Sequence, residues 1–430
     1  MKEAYYFHDS TVILNYSKKY IRTSNELVQS EGFDGYLDYF LPYLEKHHYE
    51  LYMYLTKGYK TLDDVKVQLK LVLRYLTVME VEELDHPYLN DRYMFESVIE
   101  EGYNCWRSLQ RYSVLYTHNE EGYQQQNFID ADNAENTAVL KFYRKVQERI
   151  QGGQNKVYRQ LQAGTNASIL LQYYNNNLPE IYAQLKDIPF INRMMLRTPL
   201  ILHPKSNKRK NVFKEIDHNP IHNFVKGVEE WVCYPAKVGS LLIFAYFHRD
   251  QISSAVALAN LFELASNEEA DGAKPDAILL FGNKDGTKDT VFHYDEENDI
   301  WVGKVSSSEE IDYFGYTKKA LLTLHNCAMM RKGWLPIHGA MVNMYLKDGT
   351  KKGLMFMGDS GAGKSETIEA LSILASDLID HQEIVFDDMG SIHLDKNGHV
   401  VAQGSEIGAF VRLDDLDKGT AYKDMDRSIF

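Results

Sequence analysis

The sequence predicts a mixed α+β and α/β fold, with a helical N-terminal region followed by a domain built around a phosphate-binding loop. Three observations carry that reading. Leucine and valine stripes at helical spacing dominate the first 200 residues. From about residue 214, short apolar strands alternate with helices. Near the C-terminus, Gly358-Asp-Ser-Gly-Ala-Gly363-Lys364-Ser365 fits G-x-x-x-x-G-K-[ST] at every fixed position.

In the helical region, Leu37, Leu41, Leu44, His48, Leu51 and Leu55 alternate in steps of four and three, which predicts one helix face. The next helix opens at Thr61, an N-cap followed by Asp63 and Asp64. Its stripe is Leu62, Val65, Leu69, Val72, Leu76 and Met79. Further helices extend through Tyr143 and Tyr158, broken at Gly152 and Gly153. The 30 tyrosines lie mostly in the first half of the chain and read as helix-packing aromatics with wet hydroxyl ends. His47 and His48 are adjacent, so on a helix they point about 100° apart and read as surface residues rather than metal ligands. No catalytic constellation stands here, and the region is assigned to packing or to a protein partner.

The expected domains are 1–200, mainly helical; 201–330, an α/β substrate-side domain; and 331–430, the phosphate-loop domain. Between the first two, Lys205, Lys208, Arg209 and Lys210 crowd a proline-containing loop. Such a run is either a solvated surface or a clamp for a substrate carboxylate or phosphate. Residues 241–247 and 276–282 read as strands, 252–265 as a helix, and 267–272 and 285–289 as exposed turns. An amphipathic helix is expected within 313–342, with Lys318 and Lys319 near its start. His338 is expected to end a short strand.

The phosphate loop has a specific physical demand. Consecutive backbone N–H groups must turn inward around an anion, and the following helix must point its positive end at it. Gly358, Asp359, Ser360, Gly361, Ala362, Gly363, Lys364, Ser365 and Glu366 are the expected nucleotide cradle. Lys364 supplies charge for the β/γ-phosphates and Ser365 a hydroxyl for Mg²⁺. The context agrees: an apolar run at 354–357 precedes the loop, and Ile368, Leu371, Leu374 and Ala375 repeat at helical spacing after it. A second apolar run then ends at Asp387 and Asp388.

Taken together, Tyr313, Gly315, Lys318, Lys319, His338, the phosphate loop and the acidic pair resemble ATP-dependent phosphoenolpyruvate carboxykinase. That family carries Y-x-G-x-x-K-K, the same lysine-to-histidine interval, the loop and a D-D strand end. Its E-G-G-C-Y-A-K segment has a counterpart from Glu406 to Arg412. The resemblance covers about residues 313–430. His338-Gly-Ala-Met-Val and GDSGAGKSET are also similar to HPr kinase/phosphorylase, which shares the carboxykinase-like nucleotide fold. The carboxykinase's H-C-S-A-N is absent, Ser365 and Glu366 replace its two threonines, and Tyr316 stands in place of the glutamate of its G-E-x-K-K.

The resemblance implies ATP-dependent phosphoryl transfer, with oxaloacetate as the leading substrate and a protein or small-molecule hydroxyl as the alternative. It implies Mn²⁺ held by Lys319, His338 and Asp388, and nucleotide Mg²⁺ on Ser365. It makes Asp387 an acceptor or general base, and Lys318, Lys364 and Arg412 catalytic cations. Tyr313 would touch the organic substrate, with Lys205, Lys208 and Arg209 standing in for an early basic substrate segment. Both families continue beyond the equivalent of Arg412, so a chain stopping at Phe430 implies a C-terminally incomplete nucleotide domain. A non-catalytic nucleotide-binding scaffold is the reading from a different class.

Composition limits the partners. The chain carries 47 basic and 61 acidic residues, a net charge of −14, which argues against general nucleic-acid or anionic-membrane binding. Three widely separated cysteines give no disulfide or metal spacing. No apolar run approaches the ~20 residues of a membrane span, and the N-terminus has no signal core. A cytoplasmic protein is expected.

Overall fold

A computed structural model describes residues 5–8, 11–15, 21–110, 113–116, 127–153, 155–158, 167–196, 200–206, 208–228, 230–358, 362–375, 377–410 and 428–429. The chain forms two compact units, residues 1–155 and 156–430. The fold is mixed α+β, with helices and large mixed sheets.

Among the described residues, the first unit is helical apart from a small sheet of Tyr5–His8, Thr11–Asn15 and Ser113–Tyr116. The cap at Thr61 forms as expected: its side chain accepts from the Asp64 amide at 3.1 Å, and the Asp64 carboxylate accepts from the Thr61 amide at 3.2 Å. Val65, Leu69, Val72 and Leu76 are buried below it, while Leu62 is exposed and Met79 lies beyond the helix end. The stripe from Leu37 to Leu55 is divided between two helices, Glu31–His47 and Tyr49–Thr56. The backbone leaves helical geometry at His48, where φ is −141° and ψ 60°. His48 itself faces Glu101 at 3.2 Å.

The tyrosine hydroxyls are not simply wet. Tyr36 donates to the Gly102 carbonyl at 2.6 Å and Tyr88 to the Leu55 carbonyl at 2.8 Å. Tyr43 donates to Glu101 at 2.8 Å and Tyr143 to Glu100 at 2.7 Å. Each ring therefore fills the helix interface while its polar end is satisfied by a neighbouring helix.

Residues 156–196, expected within the helical region, are instead part of the second unit. Ala167–Gln172 and Phe190–Leu196 pair as antiparallel strands at one side of a ten-stranded sheet. At the sheet's centre, Ala277–Asn283 runs parallel to both Leu241–His248 and Ile300–Ser306. Those strands are apolar on both faces because both faces are covered. The helix expected over 252–265 is short, Ile252–Ala257. A 3₁₀ turn follows, and Glu263–Leu264 then joins the sheet edge beside Trp231–Val238.

Helix Gly315–Arg331 lies between this sheet and a second one. It is buried nearly all round rather than on one stripe: Tyr316, Ala320, Leu321, Leu322, Leu324, Ala328 and Met329 are all inside. The second sheet has four antiparallel strands, in the order Lys351–Met357, Leu335–Leu346, Ile379–Leu394, Val400–Gly404. Lys351–Met357 and Ile379–Leu394 both run antiparallel to the strand between them, so they point the same way. His338 stands near the start of a 12-residue strand, not at the end of a short one. The acidic pair lies inside a 16-residue strand, not at its end.

Candidate functional site

The glycine-rich segment expected to bind phosphate begins where the edge strand Lys351–Met357 ends. Asp359, Ser360, Gly361 and Arg412 lie outside the described residues, and no side-chain position is described for Ser365 or Glu366. The loop's glycines are required where they can be seen. A Cβ on Gly358 would sit 2.8 Å from that of Ala362, so any side chain there would force the loop open. Gly363 has φ of 80°, the left-handed region, and caps the helix Lys364–Leu374. Lys364 donates from Nζ to the Gly358 carbonyl at 3.0 Å, closing the loop upon itself. Ile368 is buried on the sheet as expected, whereas Leu374 is exposed. A left-handed glycine leading into a helix N-terminus, with a lysine reaching back to Gly358, is an arrangement that suits an anion.

Strand register then brings the other groups level with the loop. Gly339 pairs with Met357 on one side and with Asp388 on the other, so the three form one row across the sheet. With neighbouring strands ~4.8 Å apart, Asp388 lies roughly 10 Å from the residue that enters the loop. Asp388 is a non-glycine residue with φ of 96°, backbone strain retained at the centre of the cluster.

The Asp388 carboxylate divides its oxygens. Oδ1 lies 2.8 Å from His338 Nε2, and Oδ2 accepts from Lys318 Nζ at 2.7 Å. On its other side the Lys318 ammonium lies 2.9 Å from Glu406 Oε1. Glu406 is almost fully enclosed, and its two oxygens otherwise have no hydrogen-bond partner. Its place is set by the backbone on either side. Ser405 donates from its amide at 3.2 Å and from Oγ at 3.0 Å to the Met389 carbonyl, and Ile407 N–H donates to the Leu261 carbonyl at 2.8 Å.

These environments separate the protonation behaviour. Burial raises the Asp388 carboxyl, but the charges of Lys318 and His338 outweigh it and hold the group at about 2. Burial lowers the Lys318 ammonium, yet Glu406 and Asp388 more than reverse this, and it ends above its ordinary value. Burial pushes Glu406 up to about 7, with Lys318 pulling the other way.

The expected metal set of Lys319, His338 and Asp388 is thus assembled only in part. His338 and Asp388 meet, but the lysine on Asp388 is Lys318. Lys319 is half-buried one position round the helix, its backbone carbonyl accepts from Thr323 Oγ1 at 2.7 Å, and its charge is felt at Glu406. Among the described residues no three His, Cys, Asp or Glu side chains cluster as metal ligands. His338 Nε2 and Asp388 Oδ1 are hydrogen-bonded to each other at 2.8 Å, so a divalent cation taking both as ligands would have to replace that hydrogen bond. Imidazole and carboxylate are donors that Mn²⁺ accepts.

Of the other expected residues, Asp387 is exposed on the same strand. Tyr313 is half-buried beside Phe410, ring centroids 5.6 Å apart, just before the lysine helix. The basic loop lies beside the same helix start. The Lys210 N–H donates to Tyr316 Oη at 3.0 Å, and Lys210 and Lys205 pair with Glu310 and Glu309 at 3.1 and 3.5 Å. Lys208 and Arg209 are exposed. Glu406 is the group to which sequence reasoning gave no role. Its signal was its position at the head of the Glu406-to-Arg412 segment.

Compared with known proteins, the chain matches no family model and no curated protein sequence. Among the described residues no helix is long and apolar enough to cross a membrane.

Proposed function

We propose that the second unit binds ATP with Mg²⁺ at residues 358–366 and transfers its γ-phosphoryl group in a carboxykinase-like site. The leading reaction is oxaloacetate plus ATP to phosphoenolpyruvate, ADP and CO₂. The single observation that carries the reading is the row Met357, Gly339, Asp388, which sets the His338–Asp388–Lys318 cluster level with the loop entrance. In such a site positioning and electrostatics supply most of the acceleration. Lys364 would leave the Gly358 carbonyl for the phosphates. Lys318 would offset charge on the transferring group, and His338 with Asp388 would hold a divalent cation such as Mn²⁺, which supplies charge neutralisation when bound. The basic loop, which meets Tyr316 and Glu310 near the start of the lysine helix, is the feature that would favour a small carboxylate as acceptor.

One observation favours the second reading, a kinase for a protein or small-molecule hydroxyl. The lysine on Asp388 is Lys318, so the lysine that the carboxykinase resemblance makes a metal ligand is not the one in contact. In that reading the exposed Asp387 is the base. Calorimetric titration with Mg-ATP tests the shared part: the wild type binds, and Lys364→Ala weakens binding more than tenfold, about 1.4 kcal/mol or more. Unchanged affinity in that variant would refute nucleotide binding at the loop. Oxaloacetate-dependent release of ADP and CO₂ then separates the carboxykinase from the hydroxyl kinase.

A further inference from the structure

Lys318 has two carboxylate neighbours, and they are not equivalent. Asp388 also faces His338 and lies in the row that leads to the phosphate loop. Glu406 is enclosed and faces Lys318, and backbone hydrogen bonds of Ser405 and Ile407 fix its position on both sides. A cation held by His338 and Asp388 would oppose the ammonium that now rests on Asp388 Oδ2. The Lys318 side chain is only 9 % exposed, so it has little water to retreat into. An ammonium left there without a counter-charge is strongly disfavoured. Glu406 is the carboxylate positioned to receive it, 2.9 Å away with both oxygens otherwise lacking hydrogen-bond partners.

We propose that Glu406 is a positioning residue that draws the Lys318 ammonium off Asp388, so that a divalent cation and Lys318 occupy the site together. This rests on the cation pair of the proposed function and deepens it. Without the Glu406 charge, Lys318 has Asp388 alone and competes with the cation for it. A merely structural ion pair would make Glu406 matter for folding and leave the competition untouched.

The experiment is Mn²⁺ binding to the full chain without nucleotide at pH 8, where the Glu406 carboxyl is ionised, read as the loss of the free-ion paramagnetic resonance signal. Glu406→Gln should weaken Mn²⁺ binding about tenfold, and Glu406→Asp, which keeps the charge, only slightly. Adding Lys318→Met to Glu406→Gln should restore wild-type affinity or better, because the competitor is gone. Wild-type affinity in Glu406→Gln, or a double variant as weak as that single one, overturns the proposal. Should Glu406→Gln fail to fold, Lys318→Met alone decides: binding at least as tight as wild type supports competition, and weaker binding overturns it. If the wild type binds Mg-ATP but no Mn²⁺, the underlying cation pair fails, and this inference with it. That outcome is distinct from failure of the Glu406 role alone.

Discussion

Two buried lysines in the second unit each sit between two carboxylates, and the differences between them separate a structural centre from a functional one. Lys304 is 1 % exposed, with Nζ 2.5 Å from Asp285 and 3.2 Å from Asp289. Everything around it is satisfied. Asp285 accepts from Ser306 Oγ at 3.2 Å, from Thr287 at its amide and hydroxyl, and from Asn283 at 3.0 Å. Asn283 in turn ties down the Val225 amide and the Asn223 carbonyl. Around Lys318, by contrast, Asp388 holds a left-handed backbone conformation, Glu406 has unfilled acceptor capacity, and His338 shares the aspartate. A fully satisfied buried network rigidifies a fold, whereas strain and unfilled capacity are retained where a ligand supplies the missing partner.

The largest expected effect tests that contrast directly. Lys304→Met should cost about 3–5 kcal/mol of stability, since it strands the enclosed Asp285 without its cation. Lys318→Met should cost less than half as much, because Glu406, already raised to about 7 by burial against the pull of Lys318, rises further and stays protonated once the ammonium is gone. Urea unfolding measures both, and equal losses would erase the distinction. Mg-ATP affinity provides the next test: in variants that remain folded, it should fall in Lys364→Ala and hold in Lys304→Met. Gly363→Ala follows, with an expected loss of about 1–2 kcal/mol, because the left-handed conformation at 80° disfavours any Cβ. A thermal melt of that variant matching wild type would show that the loop can rearrange.

The pH dependence of stability sharpens the comparison at the smallest scale. Burial raises the Asp285 carboxyl, but Lys304 and the hydroxyl and amide donors overturn this and hold it at about 2. Its folded value lies below the unfolded value near 3.9, so its contribution is present above about pH 4 and lost as pH falls towards 2. Glu406 has the opposite sign. Its folded value, about 7, lies above the unfolded value near 4.3, so the folded chain binds the extra proton. Its contribution is fully present below about pH 4 and is lost as pH rises to 7. Urea midpoints from pH 3 to 8 should therefore lose their neutral-side slope in Glu406→Gln and keep their acid limb. A slope that survives the substitution assigns it to another group.

What the sequence determined was mostly local. The Thr61–Asp64 cap, the helix stop at Gly152 and the glycines at 358 and 363 follow from backbone rules that act within a turn or two, so they are legible without a neighbour. The strands at 241–248 and 277–283 were legible for a similar reason, since a strand covered on both faces is apolar throughout. Asp285 departs from the exposed turn expected at 285–289, because nothing local announces Lys304, which arrives from a neighbouring strand. Residues 156–196 carry no local sign that separates them from the helices, because their strands belong to a sheet completed far along the chain.

The choice between Lys318 and Lys319 lay beyond any sequence pattern. Adjacent helical residues point about 100° apart, and which one meets Asp388 depends on how the helix is turned between two sheets. A helix buried nearly all round carries no apolar stripe that would reveal that turn. The sequence could therefore supply a lysine pair, a histidine and an acidic pair, while strand register and helix rotation decided which of them touch. The approach of Glu406 was decided in the same way, by hydrogen bonds from Ser405 and Ile407 to strands and loops distant in sequence.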